Sequence, residues 1–117
     1  MANQENICTI SSDVLRGYND VFILYSLLEK DSYGYEISKT IRLQSQDTYT
    51  IKETTLYSAF NRLEKNGLIQ SYFGEETLGK RRTYYKITDA GRSYYQAKCM
   101  EWQLTQQLVD HFIKEME

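Results

Sequence analysis

Apolar side chains recur at Val14, Tyr18, Val21, Tyr25 and Leu28, spaced alternately four and three residues apart. That spacing puts them on one side of a helix. Leu15 and Phe22 widen the stripe, and Asp13 is placed to cap its start. The pattern predicts a first helix from about Asp13 to Glu29. Ser32 is placed to cap a shorter second helix, with Tyr35 or Glu36 in its first turn. In that helix Ile37 and Ile41 face inward one turn apart. The β-branched and aromatic residues of Tyr49–Ile51 predict a short strand. Leu56, Phe60 and Leu63 then line one face of a third helix, which Asn66 and Gly67 end as a left-handed turn would.

The period changes after Gly67. "LIQSYF" and "RRTYYKIT" alternate and are rich in aromatic residues, and "GEETLGK" joins them with a glycine on each side. This predicts a β-hairpin with a long loop. Along its return strand Arg82, Tyr84 and Lys86 share one face, and Tyr85 and Ile87 share the other, which packs on the helices. Thr88 or Asp89 caps a final helix. In it Tyr95, Trp102, Val109 and Met116 recur every seven residues, Cys99 and Ile113 lie close by, and Leu104, Leu108 and Phe112 flank them. The stripe runs to the C-terminus and is too apolar for so small a body to cover, which predicts a dimer seam.

Composition narrows this picture. A chain of 117 residues suits one domain, and its lack of proline favours helices. Cys8 and Cys99 are far apart and have no zinc-like spacing, so they read as reduced thiols. No apolar run is long enough to span a bilayer and no secretion pattern opens the chain, so the expected location is the cytoplasm. Net charge is only −2, yet residues 52–88 hold seven Lys and Arg against four Asp and Glu, which makes that segment +3 and the remainder −5. Such asymmetry points one part of the molecule at a polyanion.

Three helices, a hairpin and a long helix give a mainly α fold with a small β-hairpin. The arrangement is a winged helix-turn-helix with a long C-terminal dimerisation helix. Residues 1–12 read as a flexible N-terminal segment, 13–88 as the DNA-binding domain and 89–117 as the dimerisation helix. The third helix of such a fold enters the major groove, and its wing lies along the backbone or a minor groove.

"YGYEI" at Tyr33–Ile37, "TLYSAFNRLEKNGLI" at Thr55–Ile69 and "GKRRTYYKITDAG" at Gly79–Gly91 together resemble the PadR family of bacterial transcriptional regulators. The resemblance covers roughly residues 13–95, and the short chain with a single C-terminal helix and Trp102 is similar to the small subgroup that includes multidrug-sensing repressors. It implies a homodimer bound to inverted-repeat operator DNA, regulating a neighbouring transporter or stress operon. One departure is Ser58, where many family members carry proline after the Thr-Leu-Tyr.

The candidate DNA contacts follow from this layout. On the third helix Thr54, Thr55, Tyr57, Ser58, Asn61, Arg62 and Lys65 point away from the apolar face, and such side chains read base edges or hold phosphates. Tyr33 and Tyr35 stand at the start of the second helix, where free N–H groups suit a phosphate, and Lys39 adds charge one turn on. Lys80, Arg81 and Arg82 form the wing tip. The dimer seam is expected from Tyr95, Trp102, Leu108, Val109, Phe112, Ile113 and Met116. Trp102 packs that seam or walls a ligand pocket at the dimer centre, and the two roles are compatible. Val14, Gly17, Tyr18, Asp20, Val21 and Cys99 would complete such a pocket. A planar aromatic ligand would slot between indoles, and Asp20 and Glu101 would offset a cationic charge.

Enzyme chemistry has little to work with. His111 is the only histidine and lies in a helical tail, no Gly-rich phosphate loop is present, and Glu75 and Glu76 read as a solvated pair. No metal or cofactor is expected. The alternative to a DNA-binding repressor is a winged-helix protein–protein adaptor without specific DNA binding.

Overall fold

The computed structural model describes residues 10–75, 79 and 81–115. Lys80, Glu76 and Met116 lie outside the described residues. The elements run α1 (Ser12–Arg16), α2 (Asn19–Ser26), β1 (Ser32–Tyr33), α3 (Gly34–Gln44), α4 (Glu53–Lys65), β2 (Ile69–Phe73), β3 (Thr83–Ile87) and α5 (Asp89–Asp110).

The expected first helix is two helices. Gly17 and Tyr18 make tight bonds to the carbonyls of Val14 and Leu15, three residues back, and the α-helical ladder resumes when Phe22 bonds to Tyr18. Glycine inside a helix costs about 1 kcal/mol relative to alanine. α1 has no buried residue to offset that cost. Ser11, not Asp13, caps α1, accepting from the Val14 N–H at 3.3 Å. Asp13 instead pairs with Arg16.

Two further expectations are corrected in the next segment. Ser32 is not a cap; it starts strand β1, and its hydroxyl donates to Glu36. Tyr33 is the N-cap of α3 and makes no side-chain cap bond. Tyr49–Ile51 forms no strand; Ser45 Oγ bonds the backbone N–H and carbonyl of Tyr49, and holds it in the irregular connection between α3 and α4. The chain passes through positive φ at Gln46 (55°) and Asp47 (63°) there, so a β ladder has no straight stretch to grow on.

α4 ends as its sequence predicts. Gly67 has φ of 76°, the Leu68 N–H bonds to Leu63 O and the Gly67 N–H to Glu64 O. This is the paired closure that glycine permits at little cost. The chain leaves directly into β2, which pairs antiparallel with β3 from Ile69↔Ile87 to Phe73↔Thr83. β1 adds to the other edge of β3, giving the order β1-β3-β2. On β3 Tyr85 and Ile87 are buried and Lys86 is exposed, as the alternation predicts.

The core gathers Ile23, Leu24 and Leu27 of α2, Ile37 and Ile41 of α3, and Leu56, Phe60 and Leu63 of α4 against Ile69, Tyr85 and Ile87 of the sheet. Each large side chain removed from water contributes about 1.5–3 kcal/mol. Phe60 stacks on Tyr85 with ring centres 4.0 Å apart, which fixes α4 on the wing.

Thr88 caps α5, accepting from Gly91 N–H at 3.0 Å. The helix stops at Asp110 rather than running to the C-terminus. Its first half packs on α2, and Tyr94 and Tyr95 lie against the core. Tyr95, nearly two turns into α5, is half-buried against the core. Beyond it Trp102, Leu104, Leu108, Val109, Phe112 and Ile113 are exposed.

Candidate nucleic-acid interface

α4 enters on Lys52 with no side-chain cap, so its first N–H groups are left for solvent or a ligand. Leu56, Ala59, Phe60 and Leu63 anchor the inner face. Thr54, Tyr57, Ser58, Asn61, Arg62 and Lys65 are exposed, and Thr55 is half-buried. Tyr57 crosses Phe60 edge-on at 5.3 Å. Glu64 is drawn off this surface by the backbone N–H and hydroxyl of Ser71 at 3.1 and 2.7 Å.

The start of α3 adjoins the start of α4. A shallow hollow of about 240 Å³ lies between them, with Tyr35, Glu53 and Tyr57 among its walls. Next to it, a hollow of about 360 Å³ lies between α3, α4 and the wing, walled by Tyr33, Gly34, Tyr35, Tyr57, Arg82 and Thr83. The N–H groups of α3 and the guanidinium of Arg82 make this an anion-favouring place. Tyr35 is 71 % exposed and Lys39 is exposed one turn on.

Arg82 does not wave freely. Its guanidinium lies 4.3 Å from the centre of the Tyr33 ring. Tyr33 meets Tyr84 at 5.5 Å, Tyr84 stacks on Tyr72 at 5.8 Å, and the Tyr72 hydroxyl donates to Asp31. That bond to Asp31 raises the Tyr72 phenol above its ordinary value. The row crosses three strands in register, Tyr33↔Tyr84↔Tyr72. Arg81 lies 5.4 Å from the Phe73 ring, nearer the tip. Sequence reasoning missed Tyr72 and Asp31; the only signal was the aromatic content of the two strands.

Arg62 is set apart from the other candidates. Its guanidinium bonds to the Asp20 carboxylate of α2. Asp20 does not itself wall the hollow around Trp102; its carboxylate pairs with Arg62, and its charge also reaches Lys98 at the hollow's edge. The remaining pocket candidates do gather. Val14, Tyr18, Val21, Cys99 and Trp102 wall an apolar hollow of about 490 Å³ between α1, α2 and α5, and Tyr18 meets Trp102 edge-on at 5.4 Å. Gly17 and Glu101 belong to an adjoining hollow of about 420 Å³. Lys98, unforeseen in the sequence, borders both and pairs with Glu101 at 2.9 Å.

Among the described residues no group of three or more His, Cys, Asp and Glu is arranged to hold a metal ion. No helix among them is long and apolar enough to cross a membrane.

A helix-turn-helix followed by a basic-edged β wing defines a winged-helix DNA-binding protein. The chain belongs to the PadR-like family of transcriptional regulators, whose family profile matches residues 23–97. It is 62 % identical to a transcriptional regulator from Clostridium thermocellum, a structure that covers 91 % of this chain and all of its own, with a TM-score of 0.83. It is 35 % identical to a PadR family transcription regulator from hypervirulent Clostridium difficile R20291, over 84 % of this chain and all of that one, at a TM-score of 0.72. An uncharacterized protein of Lysinibacillus sphaericus is 42 % identical over 92 % of this chain and 99 % of its own. The protein is thus a DNA-binding transcriptional regulator and not an enzyme.

Proposed function

We propose that the protein is a homodimeric repressor of a transporter or stress operon, released by a planar aromatic or cationic ligand bound at the dimer centre. A leading segment of residues 1–12 precedes the DNA-binding unit of residues 13–88, and residues 89–117, built on α5, form the dimerisation segment. Each protomer sets α4 in a major groove, with Thr54, Thr55, Tyr57, Ser58 and Asn61 toward base edges and phosphates. Lys65 adds charge behind them. Tyr33, Tyr35 and Lys39 of α3 and Lys80, Arg81 and Arg82 of the wing hold the flanking backbone. α5 pairs with its symmetry mate, so the two copies of α4 are spaced for half-sites about one helical turn apart.

The observation that carries the reading is the junction of three elements: the uncapped start of α3, Tyr57 of α4 and Arg82 of the wing meet around one hollow, and the uncapped start of α4 opens on the hollow beside it. For ligand release, support comes from Trp102, 46 % exposed beside an apolar hollow; a cationic ligand would take the place of Lys98 beside the Glu101 carboxylate. An inducer acts by fitting one arrangement of the protomers better than the other.

The test is anisotropy of a labelled duplex from upstream of the protein's own reading frame, measured over a salt series with and without a planar cationic dye that a DNA-only control shows not to bind the duplex. Each neutralised phosphate adds about 0.9 to the slope of log affinity against log salt. Tight, salt-steep binding that the dye weakens supports the whole reading. Binding indifferent to dye keeps the repressor and removes this ligand class. Absence of binding to this fragment and to selected genomic fragments overturns it.

A further inference from the structure

The first turn of α2 looks two ways. Tyr18, its N-cap, meets Trp102 of α5, and Val21 and Phe22 line the same apolar hollow. Between them, Asn19 and Asp20 reach the helix-turn-helix. Asn19 is buried, and its Oδ1 accepts from the Tyr49 hydroxyl at 2.7 Å. Tyr49 stands in the connection that leads into α4. Asp20 accepts from the guanidinium of Arg62 in the last turn of α4. Steps of 100° per residue account for the division, since positions 18, 21 and 22 share one side of a helix and positions 19 and 20 leave it.

We propose that this single turn is the coupling element between the Trp102 hollow and the recognition helix. Its polar links are Asn19–Tyr49 and Asp20–Arg62, and the Phe22 ring, which lines the hollow, also lies 5.8 Å from the ring of Tyr49. A planar ligand that separates Tyr18 from Trp102 shifts α2, and the shift reaches both ends of α4. One link leads to the connection before it, the other to its last turn. The Asn19–Tyr49 bond is the stiffer link, because Asn19 is enclosed and cannot exchange its partner for water. The Asp20–Arg62 pair is partly exposed, so a DNA phosphate can compete for Arg62. Coupling is reciprocal, so DNA on α4 must also be felt at Trp102. The inference rests on the proposed reading that α4 meets DNA and the hollow meets ligand.

Trp102 is the only tryptophan, so 5-fluorotryptophan labels it alone for 19F NMR. Neither Tyr49 nor Asp20 lines the Trp102 hollow. In the DNA-free protein, Tyr49→Phe and Asp20→Asn are each expected to shift the Trp102 resonance. Arg62→Gln replaces Tyr49→Phe if circular dichroism shows that variant unfolded. Adding the labelled upstream duplex is expected to shift the wild-type resonance and to leave that of the Tyr49→Phe, Asp20→Asn double variant unmoved while the label still reports binding. A double variant that binds DNA and keeps the full shift overturns the coupling and leaves the DNA reading standing. So does a wild type that binds DNA with no shift. If no DNA binds, the DNA reading falls, and unmoved resonances in the DNA-free variants overturn the coupling separately.

Discussion

The hydroxyl of Tyr57 occupies the space where a side chain at Gly34 would begin. That contact joins the starts of α3 and α4, and it lies in the hollow that the wing closes. Gly34→Ala would push the Tyr57 ring, which can swing because only its far end is touched. We expect a loss of about 1–3 kcal/mol in stability, the usual range for an added methyl group in a packed place. Operator affinity should fall further than stability does, since Tyr57 is displaced from the DNA face. Removing the hydroxyl in Gly34→Ala, Tyr57→Phe should recover part of the stability. Thermal melts and anisotropy on the three proteins check this; an alanine variant with unchanged melting and affinity sinks it.

Arg82 is ordered by its stack on Tyr33, so its charge and its planarity are separable. Arg82→Lys keeps the charge but loses the flat face. It should weaken operator binding severalfold with the salt slope nearly unchanged. Arg82→Ala should also lower the slope by about 0.9, the value of one phosphate contact. The Arg81→Glu, Arg82→Glu double variant should lose binding altogether and elute as the wild type does. Normal operator binding by that double variant would show that the wing does not carry the contact.

How much of each element is legible in the residues depends on how far its signal extends along the chain. α4 is legible because Leu56, Phe60 and Leu63 mark its buried side over several turns and Gly67 marks its stop. β3 is legible because Tyr85 and Ile87 alternate with Tyr84 and Lys86. β1 is not, since two residues have no period; Ser32 reads as a helix cap because serine serves both uses. The break at Gly17 is hidden because the apolar stripe runs on through it. At the site, types and spacing gather the cations and tyrosines. The ordering row Tyr33–Tyr84–Tyr72–Asp31 depends on strand register, which no local pattern states. Helical position alone assigns Asp20 to the hollow, and only the fold reveals that Arg62 of a different helix claims it.

Tyr95 sets an upper pH limit on the fold. Burial, and then the hydrogen bond with Cys99, push its phenol up to about 12. Burial raises Tyr49 and Tyr85 as well. The folded state thus favours the neutral phenols. Below the ordinary value of 10.0 folded and unfolded chains both hold these protons, and the stabilisation is whole. As pH rises through 10 toward 12 the unfolded chain releases them first and stability falls. Denaturant midpoints should therefore be level from neutral pH to about 9 and then decline. Tyr95→Phe should lessen the decline and leave stability at neutral pH nearly unchanged. An equally steep decline in the variant would assign it to other groups.

Leu104 and Leu108 of α5 and Phe112 just past its end repeat every four residues and are 64 %, 61 % and 79 % exposed. A contiguous stripe of this kind is not tolerated in a free monomer without consequence. Pairing it with a second copy removes the stripe from water and fixes the separation of the two α4 helices in one step. The chain is 13.8 kDa, so light scattering should give twice that mass for the wild type and 13.8 kDa for Leu108→Glu, Phe112→Glu. The core lies on α2, α3, α4 and the sheet, well away from these two positions, so circular dichroism should stay unchanged. Operator affinity should nevertheless drop by orders of magnitude, because each lone protomer binds only a half-site. A charged variant that remains dimeric would move the seam to another face, and Trp102 would then no longer stand at a dimer centre.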